Sequence, residues 1–330
     1  MGSLLNFVGD KLGLFKAMAG AGALTPEELA RKTGTHPRMM PEWLAAQAAG
    51  GFVTYDSDTE SYLLPEEQAL ALTDENNLSY IAGFYQVLTG LYKDQEKIID
   101  TFRTGKGLGW GDHHHYLYEG TERSFKPYYI ANITTSWIPA LESVENKLRR
   151  GGAKVVDVGC GHGASTILMA KAYPNSQITG FDYHRPSIER ARKEAEKQGL
   201  KNITFEVAGS TDYPGDDYDL VAFFDCFHDM GNPSAAGRHV MQTLKNKDGT
   251  WMLVEPFAND KVEDNLNPVG RLNYAASTVV CVPASLNENR PALGAQAGEE
   301  RIAEIVKSAG FSKFRRATQT PFNLVFEARL

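Results

Sequence analysis

An aspartate followed by three alternate glycines is the first chemical signal in the chain. Val155-Val156-Asp157-Val158-Gly159-Cys160-Gly161-His162-Gly163 joins an apolar run directly to a glycine turn. Glycines after a strand let the backbone turn tightly and let a ligand approach the amides that open the next helix. The spacing alone is ambiguous, because Gly159, Gly161 and Ala164 also satisfy the dinucleotide pattern GxGxxG/A. Asp157 favours S-adenosylmethionine over NAD: at a strand tip, its carboxylate can hold an ammonium group, directly or through water, and would repel a pyrophosphate. Asp182 ends the next apolar run, where it can accept both hydroxyls of a ribose, and Tyr183 beside it can cover an adenine. The competing reading is a glycine turn in an unliganded α/β domain, with Asp182 as a helix cap.

A second segment, Leu220 to Met230, runs from an apolar stretch into Asp225-Cys226-Phe227-His228-Asp229. A histidine at the carboxyl end of a parallel strand sits on the edge where open α/β sheets bind ligands. Its ordinary pKa of about 6.5 lets it accept a substrate proton near neutrality. Glu255, in Val254-Glu255-Pro256, stands on the next predicted strand tip and can orient the imidazole. The plainer alternatives are a loop histidine bonded only to Asp229, and Asp225 as an N-cap.

Other residues invite chemistry less strongly. Consecutive His113, His114 and His115 point in different directions in an extended loop, and Cys160, Cys226 and Cys281 lack CxxC spacing, so no metal is expected. Trp110, Tyr128 and Trp137 crowd one segment, and Phe227 and Met230 flank His228. These aromatics and the methionine could wall an apolar pocket for a flat acceptor, or simply be core.

The elements that must position these groups follow from patterning. From Gly151 onward, strand-like runs at 154–158, 177–181, 203–207, 220–224 and 251–254 alternate with amphipathic helices, which specifies a parallel sheet covered on both faces. Two runs at 311–317 and 322–328 end the chain as an antiparallel hairpin at the sheet edge. The first 75 residues read as helix (Leu4–Ala19), helix, helix and a short hairpin, a winged-helix pattern. Thr25-Pro26-Glu27-Glu28 forms a capping box, and Gly50-Gly51 closes the third helix. Residues 76–150 read as a helical linker and substrate lid, broken by a glycine-rich and therefore mobile loop at 104–112. The fold expected is α/β with a Rossmann-like sheet at 151–330 and an α-rich winged-helix domain at 1–75.

Charge excludes some partners. The 330 residues carry a formal net charge of −7, and residues 1–75 hold only Lys11, Lys16, Arg31, Lys32 and Arg38 against more than twice as many acids. Phosphates would repel such a surface, so the winged helix reads as a dimerisation or lid element and no nucleic-acid partner is expected. No run is long and apolar enough to span a membrane, the amino terminus does not read as a signal peptide, and a reduced, cytoplasmic protein is expected.

On Asp157-x-Gly159-x-Gly161-x-Gly163 and Asp182, residues 150–330 resemble class I S-adenosylmethionine-dependent methyltransferases. The whole chain resembles winged-helix small-molecule O-methyltransferases of bacterial and plant type, which also carry a His-Asp pair like His228-Asp229. That resemblance implies a seven-stranded sheet with a reversed last strand and a homodimer formed through the amino-terminal domain. It implies cofactor contacts at Asp157, Gly159, Asp182, Ser210 and Asp225, to which Gly161, Gly163, Tyr183, Gly209 and Cys226 are added here. It also implies His228 as general base and a pocket roofed by Asn273 and Tyr274. The expected reaction is methyl transfer to a small-molecule hydroxyl or other heteroatom. Carbon or nitrogen methylation, a cofactor-sensing regulator and a nucleic-acid methyltransferase are the alternatives.

Overall fold

The computed structural model describes residues 1–245, 248–288 and 292–330. The chain divides into two compact units, Met1–Lys93 with His114–Tyr128, and Asp94–His113 with Tyr129–Leu330. The segment expected as a separate layer at 76–150 is therefore shared between the two.

The first unit begins with α1 (Gly2–Lys11), α2 (Leu14–Met18), α3 (Pro26–Thr33) and α4 (Met40–Ala49). The wing, β1 (Thr54–Asp56) and β2 (Ser61–Leu63), is an antiparallel pair, followed by α5 (Glu66–Thr73) and α6 (Ala82–Lys93). The expected single first helix is instead two, because Gly13 adopts φ 68° and turns the chain so that Leu14, Phe15 and Met18 enter the core with Leu29, Trp43 and Leu44. The capping box forms as expected, with Thr25 and Glu28 exchanging side-chain and backbone bonds. At the end of α4, Gly50 stays right-handed and Gly51 takes the positive φ. Arg123 fastens the unit internally: its guanidinium donates to both Asp10 oxygens at 2.8 Å and to Glu75 at 3.2 Å.

After α7 (Gln95–Thr104), α8 (Tyr116–Asn132) passes from one unit to the other and runs into a π-helical turn, Ile133–Trp137, before α9 (Val144–Arg150). The second unit then alternates β3 (Lys154–Val158), α10 (Ala164–Ala172), β4 (Gln177–Asp182), α11 (Arg185–Lys197), β5 (Ile203–Val207), β6 (Leu220–Phe224), α12 (Pro233–Thr243) and β7 (Thr250–Pro256). It closes with α13 (Pro268–Ala276), a second π-helical turn Ser277–Cys281, α14 (Val282–Asn287), α15 (Gly298–Ser308), β8 (Lys313–Gln319) and β9 (Asn323–Arg329).

Among the described residues the sheet has seven strands in the order β5-β4-β3-β6-β7-β9-β8. The β5-β4-β3-β6-β7 pairs are parallel, and β9 is antiparallel to both β7 and β8. The last strand is thus reversed and inserted beside β7, with β8 outermost. Strand order turns outward in opposite directions from β3 and β6, so the loops after their carboxyl ends open into a shared crevice. All five residues of β6 are buried, as a strand covered on both faces requires.

Candidate active site

The glycine turn after β3 is shaped by close approaches. Gly159, Gly161 and Gly163 all have positive φ, at 74°, 53° and 82°. A Cβ on Gly163 would lie 2.6 Å from the Phe205 ring and one on Gly159 would lie 2.8 Å from Cys226 Sγ, whereas one on Gly161 would meet nothing within 4 Å. Two of the glycines therefore serve packing, and the third exposes its backbone to open space, where a ligand can approach.

Asp157 is fully buried on β3. Its Oδ2 accepts from Ser165 Oγ and Thr166 Oγ1, both at 2.6 Å, while Oδ1 is buried with no hydrogen-bond partner. Burial pushes its pKa up to about 6, an effect the two hydroxyls partly offset. Asp182, at the end of β4, accepts from the Gly161 N–H at 2.9 Å and the His184 N–H at 2.8 Å, so it clamps the glycine turn to the start of α11. Each oxygen keeps acceptor capacity for a diol. Tyr183 beside it is 59% exposed, placed to cover a flat group. Gly209 donates to Asp212 Oδ1 at 2.8 Å in the loop after β5, which places the half-buried Ser210 at the same sheet edge.

Beyond β6 the backbone bends sharply at Asp225, a non-glycine residue at φ 50°. Its carboxylate accepts from Asn323 Nδ2 at 2.9 Å and from the Tyr129 hydroxyl at 3.3 Å. Burial and the neighbouring Glu255 carboxylate push its pKa up to about 8. The Cys226 thiol donates to the Val158 carbonyl at 3.2 Å, tying this loop to the glycine turn. Sequence reasoning missed Asn323. Asn323 pairs in register with Pro256, next to Glu255, a relation visible only once β9 is known to lie against β7.

His228 is 4% exposed and lies between two carboxylates. Its Nδ1 is 2.7 Å from Glu255 Oε2, and its Nε2 is 3.1 Å from Asp229 Oδ1. The other Glu255 oxygen accepts from the Phe227 N–H at 3.1 Å, so Glu255 fixes both the loop backbone and the ring. Burial lowers the imidazole pKa, but Asp229 and Glu255 outweigh it and hold it well above 6.5. The two carboxylates therefore favour the imidazolium form.

The segment around α14 surrounds this loop. Ser285 Oγ donates to the Asp229 carbonyl at 2.9 Å, and the Gly294 N–H donates to the His228 carbonyl at 3.2 Å. The glycine-rich stretch 105–111 is docked rather than free: Leu108 N–H donates to the Pro283 carbonyl at 2.9 Å, and a Cβ on Gly107 would lie 1.8 Å from Asn287 N. Close backbone approach, not mobility, accounts for glycine at that position. Trp110 follows in a single 3-10 turn, and a backbone hydrogen bond joins it to Tyr183.

Two of the expected pocket residues are core. Trp137 and Phe227 are wholly buried: Trp137 packs on Phe224 and Tyr129, and Phe227 on Phe223 and Trp251. They back the site as core and do not line it. Met230 is partly buried against the same core. Asn273 donates to the Phe257 carbonyl at 3.5 Å, and Tyr274 lines an open hollow of about 640 Å³ with Asn265, Leu266, Asn267, Pro268 and Arg271. Tyr128 falls in the first unit. The three histidines also separate. His113 is buried with Nδ1 3.3 Å from Asp94, His114 stacks on His115, and His115 pairs with Glu119 at 3.0 Å.

Residues 149–310 match a family model described as a methyltransferase domain, and residues 2–74 match one described as an Rv2258c-like winged HTH domain. The (S)-coclaurine N-methyltransferase of Thalictrum flavum is 31% identical over 121 residues, 36% of this chain and 33% of that relative. The chain thus spans about a third of the length of that curated relative. Human N-acetylserotonin methyltransferase, solved in complex with S-adenosylmethionine, superposes over 99% of this chain and 93% of its own with a TM-score of 0.72 at 18% identity. An O-methyltransferase family protein from Burkholderia thailandensis superposes over 99% and 93% with a TM-score of 0.71 at 17% identity. At these identities the structural likeness is one of fold.

Proposed function

We propose that this chain, which belongs to the S-adenosylmethionine-dependent methyltransferases with an amino-terminal winged-helix domain, methylates a heteroatom, foremost a hydroxyl, of a small-molecule acceptor, with His228 as general base. The observation that carries the reading is the His228 ring held by Glu255 at 2.7 Å on the carboxyl edge of the sheet, one strand from the glycine turn. Asp157 fits the cofactor: its buried, unpartnered Oδ1 is the acceptor an ammonium group would satisfy. Asp182 and Gly161 would hold the ribose side, with Ser210 and Asp225 completing the cradle. When bound, S-adenosylmethionine supplies a methyl group on a cationic sulfonium, a charge that opposes the imidazolium.

The chain's own part is to orient the acceptor, exclude water and take a proton at His228 Nε2. Glu255 fixes Nδ1 as the donor, which leaves Nε2 as the proton-accepting atom once the ring is neutral. Asp229 holds that atom in the resting state, so acceptor binding must draw Nε2 away from Asp229.

The same reading makes the amino-terminal unit a dimerisation element. Exposed Leu4, Leu12, Met39 and Leu70 lie on a net acidic surface, which favours a protein partner over a phosphate backbone. Phe7 and Phe15, in contrast, are buried within the unit and are not available for pairing. Light scattering across a concentration series checks the homodimer. Among the described residues no helix is long and apolar enough to cross a membrane, and free thiols at Cys160, Cys226 and Cys281 accord with a reducing, cytoplasmic setting.

The deciding experiment is a screen of phenolic, amine and carbon-acid acceptors scored by S-adenosylhomocysteine release. Turnover on hydroxyl acceptors that collapses in His228→Ala supports the reading. Near-full turnover in that variant would reassign the reaction to a nucleophile that needs no base.

A further inference from the structure

We propose that His228, Asp229 and Cys281 form a three-ligand site for a soft divalent cation of the Zn²⁺ class. One ligand atom from each of the three lies within 4.8 Å of the others. Glu255 occupies Nδ1, so Nε2 is the ring atom that faces Asp229 and Cys281. Asp229 Oδ1 is buried 3.1 Å from Nε2, and the Cys281 thiol is hydrogen-bonded to both His228 and Asp229. A cation would replace the protons that these three groups share.

The surroundings have the form of a metal site. A carboxylate behind the ligating histidine fixes its tautomer and raises its basicity, and Glu255 stands in that place at 2.7 Å. Cys281 ends the π-helical turn Ser277–Cys281, the wide-turn geometry that recurs at functional positions. The backbone of each of the other two ligands is pinned, by Gly294 at His228 and by Ser285 at Asp229. A nitrogen, an oxygen and a sulfur donor suit Zn²⁺ or Co²⁺ and disfavour Mg²⁺ or Ca²⁺. Three protein ligands leave a fourth position to solvent or a ligand heteroatom. Chain spacing concealed the set, since Cys281 is remote from His228 in sequence and arrives through α13 and its π turn.

Binding forms bonds from the ion to Nε2, Oδ1 and Sγ and breaks the S–H bond, the thiol proton leaving to solvent. A proton on Nε2 leaves as well. Where His228 is the base, a consequence that rests on the function proposed above, Nε2 cannot both ligate and accept a proton. Zn²⁺ then lowers turnover and a chelator restores it.

The test uses the reduced, chelator-stripped full-length protein titrated with Co²⁺ and followed by absorption. Expected are visible ligand-field bands and a near-ultraviolet thiolate-to-metal band, saturating at one ion per chain and abolished by Zn²⁺. Cys281→Ala removes the thiolate band, Cys160→Ala and Cys226→Ala keep it, and Glu255→Gln weakens binding by about 10- to 100-fold. If Cys281→Ala melts below the assay temperature, Cys281→Ser serves: visible bands persist without the thiolate band. A wild-type protein lacking that band, or a band that survives loss of Cys281, overturns the site. A normal Co²⁺ spectrum with no effect of Zn²⁺ on turnover leaves the site standing and overturns the base assignment.

Discussion

The two halves of the crevice are built by different means. On the β3–β4 side the ligand-facing groups are close neighbours in sequence: Ser165, Thr166 and the Gly161 N–H come from the same turn and helix start, and only Asp182 is brought in, by parallel pairing. On the β6–β7 side His228 depends on Glu255, Asp225 on Asn323 and Tyr129, and Asp229 on Ser285, all remote along the chain. The first half is a backbone cradle with one orphaned carboxylate oxygen. The second is a cluster of buried charges whose states depend on one another. The cradle should therefore govern cofactor affinity and the cluster should govern turnover and its pH dependence.

The sharpest break of that contrast is His228→Ala. Loss of a positioned base costs about 10² to 10⁴ in turnover, while calorimetry with S-adenosylhomocysteine should return the wild-type affinity. A comparable loss of cofactor affinity would show that the halves are not separable.

Asp157→Asn is the reciprocal experiment and the next largest. It keeps the shape and removes the charge that an ammonium would meet in a buried setting. Truncating one partner of such a pair costs about 2–5 kcal/mol, about 30-fold or more in affinity. Turnover at saturating cofactor should be retained. Equal loss in both quantities would contradict the division.

The division should also appear as two separate pH dependences. Burial raises the Asp157 pKa to about 6, and only its ionised form attracts an ammonium, so affinity for S-adenosylhomocysteine should fall as pH drops through about 6. His228 acts with the same sign, but on turnover. Its pKa is held well above 6.5 and the base must be neutral, so turnover should rise with pH on the alkaline side of that value. Asp157→Asn should flatten the first profile and leave the second. One shared profile would mean that a single group controls both.

The same contrast explains what could be read from the chain. The glycine turn, Asp157 and Asp182 were legible because each lies at the carboxyl end of an apolar run, and parallel pairing brings adjacent runs together. His228 and Glu255 were legible for the same reason, on β6 and β7. Asn323 was not, because its contact depends on β9 reversing and inserting beside β7, a choice that no local pattern encodes. Trp137 and Phe227 were left open between pocket and core because aromatic type does not say which face of a segment meets the core. The loop holding Gly107 was read as mobile because a glycine needed for close approach to Asn287 looks, in sequence, like one needed for freedom.

The smallest expected effect lies where the halves meet. Tyr129 donates to Asp225 at 3.3 Å, a long bond to a carboxylate whose pKa burial and Glu255 already push up to about 8. Tyr129→Phe removes that bond and leaves Asn323 on the other oxygen at 2.9 Å. A single hydrogen bond is worth about 0.5–1.5 kcal/mol net, so cofactor affinity should change by no more than about tenfold. The alkaline rise in turnover should stay in place, since Tyr129 bonds Asp225 whereas Glu255 holds the imidazole. Were that profile to move with the phenol gone, charge would have to pass from Asp225 through Glu255 to the imidazole. The cradle and the cluster would then titrate as one unit.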